Sequence, residues 1–150
     1  MRWMLIATLF LAAGCSHSPI ETANLDAVVD GSLEFSHHYT YPASCRQSQD
    51  ESLECRVYSV WFTNEGNVAI STDRIGWTVN RTTYNALGEP SGWMSSNCPY
   101  AIPFQHFDVT PGHRVNLNIA CMFPEGVIQD TVEAFHKTPP RIIFGVVAVD

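Results

Sequence analysis

Five cysteines and six histidines are the residues of this chain whose spacing could announce chemistry. Cys15 stands apart, directly behind an apolar N-terminal run, which leaves Cys45, Cys55, Cys98 and Cys121. An even number of cysteines in an oxidising compartment reads as disulfides. A zinc site would show closely spaced pairs, and the sequence contains no C-x2-C. Four cysteines allow three connectivities. The polar stretch 46–54 looks like a turn that a short crosslink would tie off, which favours Cys45–Cys55 and with it Cys98–Cys121. In the chain-entropy view each such loop is worth ~3 kcal/mol, slightly more for the longer one, less any strain.

The histidines are His17, His37, His38, His106, His113 and His136. His37 and His38 are adjacent, so on a strand they point to opposite faces and do not easily share an ion. No H-E-x-x-H pattern occurs, and beyond the N-terminal run only Met94 and Met122 remain, too few for a copper-carrying cluster. No metal and no cofactor is expected. No G-x-S-x-G elbow is present. Ser, His and Asp are plentiful, but a triad is recognised by geometry rather than by order in the chain. No catalytic residue is singled out, and the chain is expected not to be an enzyme. Fifteen acidic residues against eight basic ones give a net charge of −7. That lacks the basic footprint of a nucleic-acid binder and the polybasic segment that docks on anionic lipid heads. The acids are scattered and read as a solubilising surface.

The N-terminus supplies an address. Arg2 is followed by an uncharged run from Met4 to Ala13 and then by Gly14-Cys15. A run of this length is too short to span ~30 Å of hydrocarbon at 1.5 Å per residue, and it has the form of a signal peptide. Leu11-Ala12-Ala13-Gly14-Cys15 resembles the bacterial lipobox, with Ala12 where that family usually carries Leu. The resemblance implies a signal peptide over residues 1–14, cleavage before Cys15, and lipid attachment at Cys15. One acyl chain holds a protein only marginally, whereas two or more anchor it stably. Ser16, a residue other than Asp after the cysteine, implies by resemblance to Gram-negative sorting an outer-membrane anchor facing the periplasm. Residues 15–30 read as a lipidated tether, with Leu25, Val28 and Val29 joining the fold.

The rest of the chain, residues 31–150, reads as one domain of strands. Leu33, Phe35, His37, Tyr39 and Tyr41 alternate with polar residues, the period of a half-buried strand. Residues 53–63, rich in β-formers, predict a central strand that ends at the turn Asn64-Glu65-Gly66-Asn67. Ile75, Trp77 and Val79 begin another strand, which runs to Tyr84 and the turn 85–90. Val115, Leu117, Ile119 and Cys121 alternate cleanly, and residues 141–149 are apolar on both faces. Val127, Ile128, Thr131, Val132 and Phe135 fall near one side of a helix, which predicts a helix over 127–136 stopped by Pro139-Pro140. Short strands at turn-punctuated spacing with few helices indicate an all-β antiparallel sandwich. A small closed barrel is the second choice.

Three short segments resemble Ig-like extracytoplasmic modules of the FxLYD and CARDB type. They are Val60-Trp61-Phe62-Thr63-Asn64-Glu65-Gly66, Tyr84-Asn85-Ala86-Leu87-Gly88-Glu89-Pro90, and the Pro111-Gly112 turn leading into Val115. The chain departs from that pattern by inserting an aromatic, cysteine-bearing loop over residues 91–107. The resemblance implies an Ig-like sandwich that binds or scaffolds and carries no catalytic residues. Within the loop, Trp93, Met94, Tyr100 and Phe104 are the candidate partner-binding residues, because aromatics and Met concentrate at interface centres. A disulfide through Cys98 would pre-order them. Together these features indicate a membrane-anchored envelope lipoprotein that binds another envelope protein, for example as an accessory subunit of a secretion or envelope assembly. The alternative is a periplasmic lipoprotein that binds a small molecule, a glycan or a metal.

Overall fold

Alternation along the chain and pairing across it coincide in the strand Leu53–Asn64, β2, which is flanked on both sides. Gly31–Thr40, β1, pairs with one edge of β2, and Arg114–Pro124, β7, pairs with the other, both antiparallel. The structure, a computed structural model, describes residues 26–41, 45, 53–102, 106–124, 126 and 128–149. The signal peptide 1–14, Cys15, tether residues 16–25 including Leu25, and Phe104 lie outside the described residues.

A second sheet faces the first. Its order is β5-β4-β8-β9, with β4 at Ile75–Tyr84, β5 at Pro90–Asn97, β8 at Ile128–His136 and β9 at Ile142–Ala148. Ile70–Ser71 (β3) pairs with Asp108–Val109 (β6) at one end, and a 3-10 turn, Thr72–Arg74, leads into β4. This is the all-β antiparallel sandwich expected from the sequence, with strands arranged over two sheets as in immunoglobulin-type domains. Tyr58, Val60 and Phe62 of β2 meet Trp77 and Val79 of β4 and Val132 of β8 in one core. The Phe62 and Phe144 rings meet edge-on at 5.1 Å. Burying each large side chain stabilises by roughly 1.5–3 kcal/mol, which is why the alternating strands settle face to face.

The turns form where expected. Asn64 is fully buried, and its Nδ2 donates to the carbonyls of Val68 and Val109 at 2.8 and 2.7 Å. The backbone N–H groups of Glu65 and Gly66 donate to the Asp30 carbonyl, and that of Asn67 to the Val28 carbonyl, so residues 26–30 dock on this turn. Gly88 and Gly112 sit at φ +76° and +77°, a conformation that favours glycine.

Four expectations need correction. Residues 128–136 form strand β8 rather than a helix. Asp130, Val132 and Ala134 are buried in alternation, and β8 pairs with β4 on one side and β9 on the other. Its β-branched residues also fit a helical stripe poorly. The expected loop 91–107 begins as strand: β5 pairs with β4 through Asn97. The core face of β1 stops at Phe35, because a bulge between Phe35 and His37 resets the register and leaves Tyr39 and Tyr41 exposed. Finally, β9 lies at a sheet edge, so Phe144 is buried while Ile143 and Val146 are 56% and 57% exposed.

Both disulfides follow the favoured pairing, Cys45–Cys55 and Cys98–Cys121, with Cα separations of 5.8 and 5.2 Å. The second joins the end of β5 to β7 and so ties the two sheets together. Among the described residues no helix is long and apolar enough to cross a membrane. Two disulfides are compatible with a domain working outside the cytosol.

Candidate functional site

A sandwich of two open sheets has four edges, and each exposes unpaired N–H and C=O groups unless something covers it. Three are covered here. On the first sheet, the Ala101 N–H donates to the Asn118 carbonyl and the Ala120 N–H to the Pro99 carbonyl, each at 2.9 Å, so residues 99–101 cover β7. At the other side β1 and β9 run against each other where Leu33 meets Gly145. Among the described residues, β5 is the edge left open.

The register shows which groups it offers. The Cys98 N–H donates to the Trp77 carbonyl at 2.9 Å. Antiparallel pairing alternates from there. Ser96, Met94 and Gly92 turn their backbone polar groups toward β4, whereas Asn97, Ser95 and Trp93 turn theirs to the open side. No residue from Pro90 to Asn97 is charged, so β5 carries none of the edge lysines that block strand addition.

The candidate binding residues separate. Trp93 is 71% exposed and Met94 38%, both on β5. Met94 stands opposite Arg81 in the ladder and Trp93 opposite Thr82. Tyr100 does not belong with them. Its ring packs edge-on against Trp77, and its hydroxyl donates to the Thr72 carbonyl at 2.9 Å. Burial pushes its phenol up to about 12, the neighbouring Trp77 indole opposes that shift, and the Asp73 carboxylate adds to it. Tyr100 caps one end of the core.

Near that end lies a cavity of about 690 Å³, bordered by Asp73, Asn97, Tyr100, His106, Met122 and Lys137 among others. Its size suits a small ligand. His106 Nδ1 is paired with Asp73, both half exposed. The hydroxyls that line the cavity, on Ser96 and Tyr100, donate to the backbone carbonyls of Asn97 and Thr72 rather than to this histidine. His37 and His38 diverge on β1: His37 stacks on Tyr39 at 6.0 Å and His38 lies 6.4 Å from the Tyr58 ring. Among the described residues no three His, Cys, Asp or Glu side chains group as metal ligands.

At the opposite end of the core is a charged cluster that the sequence reading did not anticipate. Arg81 of β4 and Asp130 of β8 are each about 1% exposed and form a bidentate pair. Tyr58 donates to Asp130 Oδ2 at 2.5 Å, and Arg56 Nη1 reaches the same oxygen at 3.5 Å. Arg81 Nη1 donates to the Pro124 carbonyl at 3.0 Å, and its guanidinium lies 4.4 Å over the Phe123 ring. Burial alone would lower the pKa of Arg81, but Asp130 and Tyr58 more than offset it and hold it above the ordinary value. Burial and Asp130 push the Tyr58 phenol well above its ordinary range. The centre of the cluster, Arg81 with Asp130, is closed to solvent. The cluster fastens the first sheet, through Tyr58, Arg56 and Pro124, to the second.

No protein-family model and no curated protein matches the chain. Among solved structures, a Bordetella pertussis protein described as ApaA shares 11% identity at a TM-score of 0.38, over 81% of this chain and 93% of that one. A β-glucosidase from Erythrobacter marinus, EmGH1, shares 10% identity at a TM-score of 0.33, over 80% of this chain but 16% of the glucosidase.

Proposed function

We propose that this chain is a membrane-anchored lipoprotein of the bacterial envelope whose sandwich serves as a non-enzymatic protein-binding or scaffolding module. The lipobox resemblance at Cys15 and the two disulfides support the location. The open, uncharged β5 edge carries the binding role. An extended segment of another envelope protein adds there as a further strand: main-chain bonds to Trp93, Ser95 and Asn97 supply affinity, and alternate side chains supply selectivity. The rigid β4 ladder and the Cys98–Cys121 crosslink hold the edge in its bound geometry, which lowers the ordering cost.

In-cell photo-crosslinking tests this. A photoreactive residue at position 97 should yield one discrete adduct with an envelope protein. The same residue at Leu87, on the exposed hairpin tip, should yield none. Ser95→Pro removes an outward N–H without touching the β4 ladder, as proline on an edge permits, and should abolish the adduct. Equal adducts from positions 87 and 97, or none from 97, would remove the β5 edge as the binding element.

A further inference from the structure

The outer face of the second sheet carries its own pattern, independent of the β5 edge. The ladders align Trp93, Thr82 and Gln129 in one row across β5, β4 and β8, and Ser95, Asn80 and Thr131 in the next. Their ladder neighbours Met94, Arg81, Asp130, Val79 and Val132 set the inward parity, so these six side chains point away from the core. None is charged, although the chain as a whole carries −7. Among the described residues the charges beside these rows on this face are Glu133 and Arg141, which pair with each other at 2.7 Å. Tyr84 donates to Gln129 Oε1 at 2.8 Å, which orients that amide.

We propose that this face binds an uncharged polysaccharide chain, with Trp93 as the stacking platform. A sugar ring presents C–H groups to an aromatic face and hydroxyls at its rim. The exposed indole matches the first need, since aromatic faces carry a negative quadrupole. The hydroxyls of Thr82, Ser95 and Thr131 and the amides of Asn80 and Gln129 match the second, because each both donates and accepts. Neutrality decides the class: the acidic body repels polyanions, and the cation on this face among the described residues, Arg141, is taken up by Glu133. Strands ~4.8 Å apart make the two rows a shallow, extended platform. That shape suits a linear chain along the sheet better than an enclosed monosaccharide. A peptide strand added at the β5 edge would leave the Trp93 ring on the face, so the two sites are compatible.

The test uses the full chain purified in detergent, titrated with chitohexaose and cellohexaose and followed by tryptophan fluorescence and calorimetry. The two sugars distinguish an acetamido-dependent ligand from one read by hydroxyls alone, and saturable binding of either supports the proposal. Heparin should give no saturable signal. Trp93→Ala should weaken binding at least tenfold without lowering Tm, because the side chain is largely exposed. Asn80→Ala with Gln129→Ala should weaken it with Trp93 intact. Asn80→Ala with Gln129→Ala lies on β4 and β8 and should leave the edge adduct from position 97 unchanged, which separates failure of this site from failure of the edge. Sugar binding that survives Trp93→Ala, tighter binding of heparin, or no response to either neutral oligosaccharide at millimolar concentration would overturn the proposal.

Discussion

Arg81 and Asp130 meet through two parallel hydrogen bonds, Nε to Oδ1 at 2.8 Å and Nη2 to Oδ2 at 2.9 Å, at the buried junction of the two sheets. Asp130 is also the acceptor for Tyr58 and Arg56. The carboxylate is therefore the hub, and the partners are unequal. Asp130→Ala leaves two guanidiniums facing a buried phenol and should cost at least the ~3–5 kcal/mol typical of a broken buried pair. Arg81→Met leaves Asp130 with Arg56 and Tyr58 and should cost less. Guanidinium chloride unfolding of both variants checks the ranking, and a larger loss for Arg81→Met would refute the hub role.

The crosslinks differ in reach. Cys98–Cys121 joins the two sheets across a sequence separation of 23, and Cys45–Cys55 closes a separation of 10. The entropy of the longer loop predicts that Cys98→Ala with Cys121→Ala costs about 3 kcal/mol and exceeds the cost of removing Cys45–Cys55. Cys98 and Cys121 are both buried, whereas Cys45 is only partly so. Graded reductant followed by alkylation should therefore label Cys45 and Cys55 first.

Stability should fall at both ends of the pH range. Tyr100 is raised from 10.0 to about 12, and Tyr58 is raised as well. Between the unfolded and folded values the native state holds more protons, so stability is fully present below about pH 10 and declines as pH rises through the folded values. Tyr100→Phe should flatten this alkaline limb. It should also cost roughly 1 kcal/mol at neutral pH through the lost bond to Thr72. On the acid side, the Thr40 hydroxyl holds Glu54 below its ordinary 4.5, burial opposes it, and Arg56 reinforces it. That contribution is present above 4.5 and lost as pH falls through the depressed value. Thermal melts from pH 3 to 12 measure both limbs.

The legible parts of the fold were those whose local pattern and burial agree. Tyr58, Val60 and Phe62 alternate in sequence and all face the core. The Asn64 and Pro111-Gly112 turns carry their own conformational signals. Strand β8 is hidden in the sequence because Ile128, Thr131, Val132 and Phe135 fit a helical spacing, whereas the alternation that is buried, Asp130, Val132 and Ala134, includes a charge; only pairing with β4 and β9 decides between them. Strand β5 gave no signal: Ser91, Gly92, Ser95 and Ser96 lack β-propensity, and the ladder to β4 alone makes them a strand. The Arg81–Asp130 pair joins positions 49 apart. Its only trace in the sequence is a charge in phase with buried neighbours, Arg81 two residues from Val79 and Asp130 two from Val132. At the candidate site, exposure separated Trp93 and Met94 from Tyr100, a distinction that residue type does not carry.

The proposed function requires a crosslinked β-module held outside the cytosol by acyl chains on one thiol. Intact mass of the protein purified from its host, with and without alkylation, tests this most directly. The predicted species begins at Cys15, carries acyl mass there, and exposes no alkylatable thiol until Cys45, Cys55, Cys98 and Cys121 are reduced. A chain that begins at Met1, or that carries an unmodified Cys15 and free thiols at the other four, would contradict it.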